Sequence, residues 1–184
     1  RGRFFFAKAP RAVGLHKLDA VAQAVELRVR LRDGVELVQT YGSRRLGEEE
    51  AASVRARELA VDAQVARRDG IARSRDRDNE GGMRFFIPGF ARADQHVVLL
   101  GLRLPEGVGE RSLASVELRY KDRILGRNVT TELPLRVRYA ETDAASLATL
   151  DPSVARTVQG FEAGETLVRA ARGCTTKKRA RGRR

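Results

Sequence analysis

Residues 25–32 read Val-Glu-Leu-Arg-Val-Arg-Leu-Arg, apolar and charged in unbroken alternation. Successive side chains leave a strand on opposite sides, so a period of two predicts a β-strand with one face in a core and the other in water. Asp33-Gly34 comes next, a dipeptide suited to tight turns, and is followed by Val35–Tyr41. The pattern predicts a β-hairpin and commits the chain to a sheet with one covered face.

Further strands follow. Met83–Phe90 reads as a strand, and 96–104 (HVVLLGLRL) is more continuously apolar, as expected of a centrally placed strand. Residues 112–121 and 129–139 alternate again and are joined by a turn around Gly126. Pro134 lacks an N–H, which favours an edge strand or a bulge there.

Two stretches are helical in character. From Leu46 to about Ser74, Glu48, Glu49 and Glu50 come early and Arg67 and Arg68 come late, which suits the helix dipole, with Ser43 as a cap. Its apolar stripe, Val54, Val61 and Val65, is thin and predicts light packing or partial solvation. The second helix starts at Asp151, a good N-cap, with Pro152 in its first position. Val154, Val158, Phe161 and Val168 share its face, interrupted by Glu165.

The expected architecture is α+β, mainly β: a small antiparallel β-sandwich with a helical insertion and a C-terminal helix. The expected divisions are a basic N-terminal arm (1–23), the sandwich (24–150) with its insertion at about 46–73, the C-terminal helix (151–172) and a basic disordered tail (173–184). A chain of 184 residues suffices for one domain with appendages.

Charge is concentrated at the ends. The net charge is +12, but five basic residues in 1–17 and six in 177–184 leave only +1 on 18–176. Phosphate affinity is therefore expected in the tail, at Lys177, Lys178, Arg179, Arg181, Arg183 and Arg184. The tail has no interleaved aromatic for base stacking. The chain opens on Arg1 and its one methionine is Met83, which suggests a fragment or a processed product. No run is long and apolar enough to cross a membrane.

No catalytic constellation stands out. Asp76, Asp78, Glu80 and Gly81 imitate the start of an EF-hand loop, but Ile87 occupies the position that requires a bidentate Glu. Asp151 and Ser153 match the first two ligands of a D-x-S-x-S metal loop, and Ala155 fails the third. Cys174 is the one cysteine, and His16 and His96 are the two histidines, which excludes an intrachain disulfide and a histidine-rich metal site. Asn128-Val129-Thr130 is a formal glycosylation acceptor. No catalytic, cofactor or metal-ligating residue is assigned.

Residues 24–46, 113–140 and 151–171 carry a resemblance. The VELR…DGVEL…YG pattern, the VELRY…LPLRVRY strand pair and the LDPSVARTVQ helix start resemble the β-rich region that follows the von Willebrand factor A (vWA) domain in large bacterial proteins. The resemblance implies a non-catalytic accessory domain with the vWA domain and other proteins as partners, often at the cell envelope or in the periplasm. It places any divalent metal in the adjacent vWA domain and none in this chain. Two rivals remain: a small nucleic-acid-binding protein acting through its basic tail, and a hydrolase with a deep polar pocket around His96. The binding surface expected of the accessory domain is an uncovered sheet edge or the face around Phe85, Phe86 and Phe90.

Overall fold

The computed structural model describes residues 3–5, 20–42, 46–74 and 81–181. Among these residues, seven strands and three helices follow one another as β1 (Arg3–Phe5), β2 (Ala20–Leu31), β3 (Glu36–Tyr41), α1 (Glu48–Asp69), β4 (Met83–Ala91), β5 (Leu99–Arg103), β6 (Glu110–Asp122), β7 (Arg127–Arg138), α2 (Asp143–Ala148) and α3 (Pro152–Arg181). The fold is α+β, as expected. A three-stranded sheet in the order β1-β5-β3 and a four-stranded sheet in the order β4-β2-β6-β7 are both antiparallel.

The predicted hairpin at Asp33-Gly34 does not form. The turn is present, with Val35 N–H donating to Arg32 O at 3.1 Å and Gly34 at φ 78°. It delivers the chain to the other sheet instead: β2 pairs with β4 and β6, whereas β3 pairs with β5. Arg32 N–H donates to Leu113 O at 2.8 Å, so the end of β2 already follows β6. A tight turn fixes a reversal of direction but not the partner strand.

Between the sheets lies an apolar core built on Val29, Leu100, Leu102, Leu104, Leu113 and Ala114, with Phe85, Val116, Leu135 and Val137 packed around it. The continuously apolar β5 occupies the centre of its sheet, and Pro134 sits in β7 at an outer edge, both as its residues require.

The N-terminal region is more than an arm, because residues 3–5 add a strand beside β5 and β2 already begins at Ala20. α1 is capped by Gly47, whose N–H donates to Glu50 Oε2 at 3.2 Å. Ser43, the expected cap, lies outside the described residues. A short helix not read from the sequence, α2, starts where Thr142 Oγ1 accepts from Ala145 N–H at 3.2 Å.

Asp151 caps α3 as expected, accepting from Ser153 N–H at 2.7 Å. The helix does not end near 172: it continues to Arg181 and takes in most of the stretch expected to be a disordered tail. Ala, Lys and Arg are strong helix formers, and cations suit a helix C-terminus, so Gly173 alone does not stop it.

Candidate functional site

Two surfaces of the sandwich carry the chemistry-bearing residues. The first is the face of the four-stranded sheet that the alternation assigned to water. Over β2 and the adjoining part of β6 that face is covered. Glu26 and Arg28 in β2 are 2% and 1% exposed, Lys121 in β6 is 0% exposed, and α1 lies over them.

Glu26 Oε1 accepts from Arg28 Nε at 2.9 Å and Nη2 at 2.7 Å. Arg84 Nη2 bridges Glu26 at 3.3 Å and Glu58 of α1 at 2.6 Å. Lys121 Nζ lies 2.9 Å from Asp62 of α1, 3.0 Å from Asn128 Oδ1, and also donates to Ala72 O. Glu117 pairs with Arg30 at 2.9 Å and with Arg119. The helix is thus seated by matched charges. Its thin apolar stripe contributes only Val65 to the fully buried set, beside Glu58 and Asp62.

A bulge in β2 makes this layer possible. Between Gln23 and Glu26 the pairing with β6 slips, and Ala24 adopts φ 51°. The extra residue shifts the phase of the strand, so Gln23 faces α1 as well and accepts from Arg68 Nη2 at 2.9 Å. Beside it the Arg68 guanidinium, hydrogen-bonded to Asp69 at 2.6 and 2.7 Å, holds the Asp69 carboxyl below the usual carboxylate range, and Arg123 adds to the effect.

The second surface is a groove of about 760 Å³ between α1 and the outer strands β3 and β4. Leu37, Val54, Met83, Phe85, Phe86, Ile87, Val97 and Val98 give it largely apolar walls, while Arg55, Glu58, Arg84 and His96 supply the polar positions. Of the expected binding face, Phe85 and Phe86 line this groove. Phe90 stands apart, edge-on to His96 at 6.0 Å. His96, around which a hydrolase pocket was expected, lines this groove beside Val97 and Val98.

The other sequence candidates are dispersed. Asn128, the formal glycosylation acceptor, uses Nδ2 to donate to Ala72 O at 2.9 Å. The acidic loop Asp76–Glu80, His16, Arg183 and Arg184 lie outside the described residues. Lys177, Lys178, Arg179 and Arg181 fall on the last turns of α3. No cluster of three His, Cys, Asp or Glu suited to a metal occurs among the described residues, and no helix there is long and apolar enough to cross a membrane.

Sequence reasoning missed Glu26, Arg28, Glu58, Asp62, Arg84 and Lys121 as a unit. A signal existed: Glu58 and Asp62 are four apart and lie beside Val54 and Val65 on the side of α1 expected to dock. Comparisons with protein-family models, curated proteins and solved structures find no match to this chain.

Proposed function

We propose that the chain is a non-catalytic protein-interaction domain that binds a partner in the groove between α1, β3 and β4. The observation that carries this reading is the groove itself, an apolar concavity flanked by the outer strands of both sheets. Outer strands offer main-chain donors and acceptors to an extended segment, and apolar pockets beside them take its side chains. The ion pairs of Glu58 and Arg84 at one wall fix the helix that forms the groove. On this reading the domain braces a neighbouring vWA module, as the resemblance implies, and presents the groove to a further protein.

Leu37 is 41% exposed and lines the groove, so Leu37→Asp alters the surface without opening the core. Cross-linked capture from cells that make the protein should recover a partner with the wild-type chain and lose it with Leu37→Asp, at unchanged melting temperature. Identical recoveries from the two proteins would sink the proposal.

A second reading, nucleic-acid binding by the basic C-terminus, draws support from the continuation of α3 through Lys177, Lys178, Arg179 and Arg181. It predicts duplex binding that falls steeply with salt and disappears when residues 173–184 are deleted. Binding that survives the deletion removes this alternative.

A further inference from the structure

Among the described side chains, the sandwich holds α3 by its first half. Val154 and Val158 are buried against Tyr41 and Leu99, Phe161 meets Tyr41 at 6.1 Å, and Gln39 Nε2 reaches Glu165 at 3.4 Å. From Gln159 to Ala171 every residue is exposed. Helical spacing sets Phe161, Gly164, Val168 and Ala171 along one side, with Glu165 and Arg169 on one rim of it.

The two glycines of this segment answer to nothing within the described chain. A Cβ added at Gly160 or Gly164 meets no atom within 4 Å, and neither glycine has a positive φ. Glycine weakens a helix interior, so its presence at an open helical surface points to a close approach by something outside the chain. The glycines leave a shallow hollow lined by Gly160, Phe161, Gly164, Glu165, Val168 and Arg169.

We infer that this face of α3 pairs with the α3 of a second copy of the chain, antiparallel about a twofold axis beside residue 166. In that register Val168 of each copy enters the notch at Gly164 of the other, and Phe161 lies over the second copy's Ala171. Glu165 then comes within two residues, about 3 Å along the axis, of the second copy's Arg169. In a parallel twofold pair the two Glu165–Arg169 rims fall on opposite sides of the seam and do not meet, so only the antiparallel arrangement pairs these charges. The contact is isologous, each half supplying both the knob and the notch. A bilayer surface is the poorer fit, because Glu165 on the rim of this face would meet its anionic headgroups. Only about three turns of helix take part, so the buried area falls short of the ~1,200 Å² of a tight complex, and association is concentration-dependent. None of the residues lining the groove belongs to α3, so this inference stands apart from the proposed function.

Sedimentation equilibrium of the full chain across the micromolar range tests it. The wild type should pass from 20.4 kDa to twice that mass. Gly164→Leu fills the notch from a position whose added Cβ meets no atom of its own chain within 4 Å, and it should remain monomeric, with an unchanged fold by circular dichroism. Glu165→Arg and Arg169→Glu should each weaken association by about tenfold. The double variant Glu165→Arg/Arg169→Glu should restore it. A wild type that stays at monomer mass, a Gly164→Leu protein that associates like wild type, or a double variant that shows no recovery would overturn the inference.

Discussion

The sandwich attaches its two long helices by opposite means. α3 is seated by apolar contact, with Val154 and Val158 against Tyr41 and Leu99. α1 is seated largely by charge, with Asp62 on Lys121 and Glu58 on Arg84. Burying apolar surface is favourable and non-directional, so α3 gains affinity for its sheet but little angular definition. A buried ion pair returns little net stability after desolvation, yet it penalises every arrangement that leaves a charge alone. α1 is therefore the more sharply positioned of the two, and it forms a wall of the groove.

This contrast can be broken most forcefully at Lys121. Lys121→Ala leaves Asp62 buried without its cation and should cost about 3–5 kcal/mol in chemical denaturation. Lys121→Met with Asp62→Leu should recover most of that loss. If the single substitution is benign, α1 is not held by charge.

Val158→Ala probes the other attachment and should cost about 2 kcal/mol, the loss of two buried methyl-sized groups plus some cavity. No second-site partner should rescue it, because no directional pair is involved.

A smaller effect concerns pH. The carboxyl of Asp69 has its pKa lowered in the folded chain by Arg68 and then Arg123. Its contribution is present above the ordinary carboxylate pKa and is lost as pH falls through the lower folded value. The stability gap between wild type and Asp69→Asn should therefore be constant near neutrality and close below about pH 4. A gap that stays constant in acid would contradict this.

The smallest expected effect is at the solvated pair Arg103–Glu36, 2.9 Å apart with both side chains more than half exposed. Arg103→Ala should change stability by less than about 0.5 kcal/mol, which separates charge in water from charge under α1.

Much of the architecture was legible in local pattern. The more continuously apolar run at 96–104 placed β5 centrally, Pro134 marked an edge strand or a bulge, and Asp151-Pro152 marked the start of α3. Each of these is decided by residues close together in sequence. What failed was decided at a distance. Asp33-Gly34 specified a turn, but β5, far along the chain, claims β3. The charged positions of β2 and β6 were read as solvated because alternation reports polarity and not what covers it. Their covering lies in α1, whose Asp62 is 59 positions from Lys121. The groove was legible only in part: its phenylalanines stood out, but its other wall comes from α1 and β3.

The charged layer has an inheritance of its own. Glu26, Arg28, Glu58, Asp62, Arg84 and Lys121 come from four separate elements, and the charges of each are answered by another. A lone reversal at any of these positions strands a buried partner, whereas a matched exchange does not. Wherever chains descended from this fold are found, these positions should therefore drift in concert: 62 with 121, and 84 with 26 and 58. The pairing written into this one molecule would then be readable as correlated substitution.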